Sequence, residues 1–214
     1  MGRRALRRID PTLDLSGHLI ELESLPQPLD RSALFGRQAR LEIEVGSGKG
    51  LFLSAAASGD ADSDFLGIEI LAKYASFVGA RLATRQLANA RIIHGNAEDF
   101  FRLWVQADSI HAVHVYFPDP WWKARHKKRR VMNELFLQNV QRTLVPSGTL
   151  HFWTDVEEYF QSALELIAVH TSLVGPQPVS EKPADHDLDY RTHFERRMRL
   201  NNLSVYRAQF DKPA

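Results

Sequence analysis

Five short runs rich in β-branched and aromatic residues constrain the fold more than any other feature of this chain. They are LEIEV (Leu41 to Val45), DFLGIEI (Asp64 to Ile70), ARIIHG (Ala90 to Gly95), IHAVHVYF (Ile110 to Phe117) and TLHFWT (Thr149 to Thr154). Runs of this length and composition are expected to be strands buried on both faces. The segments between them carry helical spacing: Leu51 to Ala57, Leu71 to Leu87, Ala97 to Trp104, Asn133 to Leu144 and Glu157 to His170. Strands alternating with helices predict an α/β fold, a parallel sheet covered on both faces. The tail breaks the pattern: a proline-rich link, Gly175 to Pro183, and a polar segment lead to LSVYRAQF, Leu203 to Phe210. That last run is a candidate edge strand whose direction periodicity does not give. Residues 1–37, with Pro11, Pro26 and Pro28, are expected to form an irregular basic arm, and 38–214 a single domain.

At 214 residues and 44% apolar content, such a domain buries a core without staples. The chain has no cysteine, which excludes disulfides, zinc thiolates and a cysteine nucleophile. His111 and His114, three apart on a predicted strand, point to opposite faces and cannot share a metal, so no metal site is expected. No apolar run approaches the length of a membrane span, and the N-terminus lacks the apolar centre of a signal peptide, so a soluble, cytoplasmic protein is expected. The net charge of +1 conceals clustering. Arg3, Arg4, Arg7 and Arg8 open the chain, Lys123 to Arg130 form a second cluster, and Arg191, Arg196, Arg197 and Arg199 a third. Clustered cations of this kind suit a polyanion.

In a parallel sheet, ligands bind beyond the carboxyl ends of the strands. The first such loop is EVGSGKG, Glu44 to Gly50. It is not a P-loop, because Ile43 stands where the first glycine belongs and Gly50 replaces the Ser or Thr. It fits the dinucleotide fingerprint poorly, with Leu51 at the third glycine. Gly46 and Gly48 permit a sharp bend and close approach of a ligand, while Glu44 would repel a pyrophosphate and attract a cation. A tight turn without a ligand explains the glycines equally well. Glu69 shifts the balance: it ends the second predicted strand, 23 residues after Gly46, near the spacing at which an acid takes up a ribose. After the third strand, Asn96 is placed either to meet an adenine edge or to cap the following helix.

The fourth loop is FPDPWWKARHKKRR, Phe117 to Arg130. Pro118 and Pro120 restrict the backbone around Asp119. Trp121 and Trp122 offer flat surfaces for a base, and Lys123, Arg125, Lys127, Lys128, Arg129 and Arg130 offer partners for phosphates. Taken singly, the tryptophans could be core and the cations merely solvated. Their order within one loop points to a nucleic acid held by base and backbone together.

EVGSGKG, GIEI, VYFPDPWWKARHKKRR, TDVEEY (Thr154 to Tyr159) and THFERR (Thr192 to Arg197) together resemble the tRNA (guanine-N7-)-methyltransferases, over nearly all of the chain after the arm. The resemblance implies a Rossmann-like class I methyltransferase fold with a seven-stranded, mainly parallel sheet. It implies transfer of a methyl group from S-adenosylmethionine to N7 of the guanosine at position 46 in the variable loop of tRNA, with S-adenosylhomocysteine as product. By matching positions, Glu44, Gly46, Gly48, Glu69, Asn96 and Asp119 would line the cofactor site, with Asp119 also catalytic. Lys123, Asp155, Thr192, His193, Phe194 and Glu195 would contact the substrate. Family members occur as monomers and as homodimers, and the presence of cofactor and tRNA motifs in one chain implies activity without an obligatory protein partner. Asn96 stands where Asp is common in the family, and Trp122 where Pro or His is expected.

Overall fold

The computed structural model describes residues 6–181, 183 and 190–214. Its elements, in chain order, are β1 (Leu19–Glu21), α1 (Arg31–Phe35), β2 (Arg40–Val45), α2 (Leu51–Gly59), β3 (Ser63–Glu69), α3 (Ala72–Thr84), β4 (Ala90–His94), α4 (Ala97–Leu103), β5 (Ile110–Tyr116), α5 (Glu134–Thr143), β6 (Leu144–Thr154), α6 (Glu157–His170), β7 (Val174–Pro178), α7 (His193–Leu200) and β8 (Tyr206–Asp211). Polar caps fix the starts of several helices. Asn96, Asn133 and Thr192 each accept a backbone hydrogen bond in the first turn of α4, α5 and α7.

The strands form one sheet in the order β1-β4-β3-β2-β5-β6-β8-β7. Those from β1 to β6 run parallel, while β8 is antiparallel to both β6 and β7. The chain winds outward from β2 to β4, then returns to the other side of β2 as β5. The crevice beyond β2 and β5 is therefore the topological switch point at which α/β sheets bind ligands.

On one face Leu41, Ile43, Val45, Leu66, Ile68, Val113, Val115, Leu150 and Phe152 pack with Phe100, Phe136, Val140, Tyr159 and Ile167 of α4, α5 and α6. On the other, α2 and α3 cover Phe65 and Ile92 through Leu53, Ala75, Val78 and Leu82. A smaller cluster, Phe52, Tyr116, Phe117, Trp153 and Met198, seats α7 beside the end of β5. The same face carries a polar core. His114 is buried between Glu42 (Nε2 to Oε2, 2.8 Å) and the Tyr116 hydroxyl (2.9 Å), and stacks on His151 at 4.8 Å. Burial, then the neighbouring His114 and Arg191, hold His151 down at about 2, so this group is neutral at physiological pH. His111 Nδ1 instead accepts from the Leu41 amide at 3.2 Å.

Three expectations are corrected. The sheet has eight strands where seven were implied. Within the arm, Leu19–Glu21 pairs in parallel with β4 and Leu22 is buried, so from residue 19 the segment is not wholly irregular. The link read from Gly175 to Pro183 begins as a strand: Val174–Pro178 pairs with β8, and its prolines are tolerated because β7 is the sheet edge. The polar stretch before LSVYRAQF holds α7, and β8 starts at Tyr206 rather than Leu203. Arg3 and Arg4 lie outside the described residues.

Candidate active site

The carboxyl ends of β2, β3, β4 and β5 bring Glu44, Glu69, Asn96 and Asp119 to one end of the sheet. Register enforces this: Glu44 lies beside Gly67 of β3 and His114 of β5, and Glu69 beside His94 of β4.

Glu44 is 3% exposed, and its Oε2 makes no hydrogen bond of full geometry, although the Ser47 hydroxyl lies close enough to interact with the carboxyl group. Burial pushes Glu44 up to about 8; the Ser47 hydroxyl and the Leu53 amide pull the other way, and the Glu69 carboxylate adds to the rise. A buried carboxyl group with an unpartnered oxygen is costly, and is explained when a cationic or donor group completes it. Gly46 and Gly48 follow at φ 78° and 53°. A Cβ at Gly46 would meet nothing within 4 Å, and one at Gly48 only a carbonyl oxygen at 4.0 Å, so the bend opens onto vacant space. This donor set fits an aminoacyl sulfonium: negative where the cation must lie, and without steric bulk above the backbone.

Glu69 is fixed by two amides. Its Oε2 accepts from Gly48 N and its Oε1 from Leu71 N, both at 2.9 Å. Burial raises its pKa against those hydrogen bonds, and the Asp119 charge raises it further, which sets these two acids in each other's field. Each Glu69 oxygen keeps a lone pair for a ribose hydroxyl. Ile70 follows and is 63% exposed. The sequence reading passed over this apolar residue; the available signal was an isoleucine directly after a strand-end acid. Asn96 serves as the cap of α4, its Oδ1 accepting from Glu98 N at 2.8 Å.

Asp119 is exposed on a loop bounded by Phe117 at φ 51° and Trp121 at φ 47°, both in the left-handed region that bulky residues rarely adopt. Beyond it, a six-residue 3-10 helix, Ala124–Arg129, displays the cations. Lys123, Arg125, Lys127, Lys128 and Arg129 are exposed. Lys127 pairs with Glu158 at 2.8 Å, and Arg129 lies 5.1 Å over the Trp121 ring. Arg130 is set apart from the other cations of the loop. It is 7% exposed, donates to the Pro120 carbonyl at 2.8 Å and to Glu158 at 2.9 Å, and lies 4.4 Å over Tyr159. This guanidinium clamps the loop to α6.

The late motif divides in the same way. Thr192 Oγ1 accepts from Glu195 N at 3.0 Å, and Glu195 Oε2 accepts from Arg191 N at 2.7 Å, a variant of the capping box. Glu195 is buried, with Arg207 at 3.2 Å and Arg199 at 3.5 Å, so its carboxylate is paired inside the protein. His193 and Phe194 remain exposed; Phe194 stacks on Phe117 at 5.9 Å, which sets α7 beside the Asp119 loop. Asp155 is half-buried just past β6. Among the described residues, no cluster of metal-ligating side chains occurs and no helix is long and apolar enough to cross a membrane.

A doubly wound sheet whose switch point holds a glycine bend between two buried acids defines a Rossmann-like class I methyltransferase. Two solved structures share this fold: an antibiotic-related methyltransferase (TM-score 0.60, 16% identity, 84% of this chain and 92% of the other) and the aminoglycoside resistance methyltransferase NpmB1 (TM-score 0.52, 19%, 81% and 87%). Residues 38–208 match the family model described as "Putative methyltransferase". The tRNA (guanine-N(7)-)-methyltransferase of Rhodopirellula baltica is 45% identical over 99% of this chain and 80% of its own length. The enzyme of the same name from Dechloromonas aromatica is 37% identical over 80% of this chain and 69% of its own. The chain belongs to the tRNA (guanine-N(7)-)-methyltransferase family.

Proposed function

We propose that this protein transfers the methyl group of S-adenosylmethionine to N7 of guanosine in tRNA, at position 46 of the variable loop. The observation that carries the reading is the unpartnered, buried Glu44 oxygen beneath an open glycine bend, in the same crevice as Glu69 and beside the Asp119 loop with its cations. Glu44 would face the positive end of the cofactor, Glu69 would accept the ribose hydroxyls, and Ile70 would lie against the adenine. Asn96, whose Oδ1 is engaged in capping, would offer its amide hydrogens to a ring nitrogen instead of accepting from the adenine amine.

The cofactor supplies an activated methyl group. Guanine N7 carries no proton and is accessible on the major-groove edge, so the protein needs no strong general base. Its task is alignment, and then tolerance of the positive charge that appears on the purine. Asp119, exposed at the end of β5, is suited to that charge. Lys123, Arg125 and Lys128, which have no carboxylate partner among the described residues, would hold the RNA backbone with Arg129 and Lys127. Asp155, Thr192, His193 and Phe194 would contact the substrate beside them. A cytoplasmic enzyme acting as a monomer or homodimer, without an obligatory protein partner, accords with one chain carrying all these parts.

The test is methyl transfer from labelled S-adenosylmethionine to unmodified tRNA, followed by nucleoside mass analysis. Label is expected in 7-methylguanosine and is expected to vanish when guanosine 46 is replaced. Label in a different nucleoside would overturn the assignment.

A further inference from the structure

Two adjacent tryptophans in the Asp119 loop have opposite fates. Trp121 is half-buried, meets His126 edge-on at 5.8 Å and lies beneath Arg129. Trp122 is 69% exposed and has no ring or cation partner among the described residues. A lone exposed apolar side chain is ordinary on a protein surface, but an indole is among the largest apolar surfaces a chain can leave in water. Its setting adds to this. The backbone before it lies in the left-handed region at Phe117 and Trp121, conformations that bulky residues adopt only where the surrounding structure imposes them. Exposed Lys123, Arg125 and Lys128 follow at once, and Phe194, 37% exposed, stands across Phe117. An occupant of this rim must be flat, apolar on its face and attached to anions.

We propose that Trp122 is a stacking platform for an unstacked nucleobase adjacent to the methylated guanosine. The proposal rests on the RNA substrate argued above. The target base itself has to be enclosed near Asp119 and the cofactor loops, where its N7 can be oriented; Trp122, so largely exposed, stands outside that enclosure on the rim. Stacking there would hold the strand open at a neighbouring nucleotide, which suits a guanosine that has to be drawn out of a tertiary contact before it reacts. Every base has a π-face, so Trp122 contributes grip without selecting sequence.

The experiment uses the full chain, unmodified tRNA and two variants, Trp122→Phe and Trp122→Leu. Titration with tRNA is expected to quench tryptophan fluorescence in the unaltered protein. Most of that amplitude is expected to be lost in Trp122→Phe, because Trp104 and Trp153 are buried and Trp121 is packed. KM for tRNA is expected to stay within about twofold in Trp122→Phe and to rise about tenfold in Trp122→Leu, the size of one lost stacking contact, with the salt dependence of binding unchanged. Quenching retained in Trp122→Phe, or an unaltered KM in Trp122→Leu, would overturn the proposal and assign the exposed ring to a protein surface. A Trp122→Leu loss accompanied by a shallower salt slope would also overturn it, since the ring would then only be supporting the basic turn. Trp122-dependent quenching by tRNA without formation of 7-methylguanosine would uphold the platform and refute the enzymatic reading.

Discussion

Replacing Glu44 with glutamine tests whether the buried acid is a site for the cofactor's positive charge. Burial holds the carboxyl group at about 8 against an ordinary value of 4.5, so at pH 7 it is mostly protonated. Ionising it there costs about 1.4 kcal/mol, one pH unit below its pKa. A unit cation placed roughly 4 Å away attracts a carboxylate by about 4 kcal/mol at an effective dielectric of about 20. The attraction exceeds the cost, so binding of S-adenosylmethionine should expel close to one proton at pH 7, and affinity should rise up to about tenfold per pH unit between 6 and 8 before levelling. Calorimetry in two buffers of different ionisation enthalpy counts the proton directly. Glu44→Gln should release none, bind with a flat pH profile, and converge with the unaltered protein near pH 5, where about 4 kcal/mol of attraction equals the cost of ionising the acid. The same shift predicts the stability of the cofactor-free protein. The folded state keeps a proton that the unfolded chain gives up above 4.5, so stability falls as pH rises from there to about 8, and glutamine removes that slope. Cofactor binding at pH 7 without proton release, or an unchanged pH slope in the glutamine variant, would refute the reasoning.

Asp119→Asn should lower turnover far more than it lowers cofactor affinity, measured by single-turnover kinetics and calorimetry; a purely proportional loss of S-adenosylmethionine binding would contradict a role at the guanine. Arg130 and Lys128 should separate cleanly. Arg130→Met should lower stability by about 1–3 kcal/mol in urea denaturation through the lost Pro120 and Glu158 hydrogen bonds, whereas Lys128→Gln should leave stability alone and reduce the logarithmic salt slope of tRNA binding by roughly 0.7–0.9. Glu195→Gln should cost about 1–3 kcal/mol, because it weakens the pairing of the buried Glu195 with the half-buried Arg207; its readout is the denaturation midpoint, and unaltered stability would refute a structural role for the pair.

The five runs from Leu41 to Thr154 identify five strands of the sheet because a strand buried on both faces writes its own apolar signature locally. The acids and glycines at their ends could likewise be located in the sequence, since a parallel sheet gathers every such loop at one end. Edges leave no equivalent trace. β1 has three residues and β7 two prolines, and each is a strand only through its partner, β4 or β8. Nor does a run of cations state which way its members face. Arg130 ends the same basic stretch as Lys128, yet α6 brings Glu158 and Tyr159 against it from 28 and 29 residues further along, and burial follows from that contact. Glu195 turns inward for the same reason, because β8 delivers Arg207 beside α7. The kind of chemistry was therefore decided by residues near one another in sequence. Which charges remain available for it was decided by partners that only the closed sheet brings into contact, since burial and ion pairing depend on distance in space.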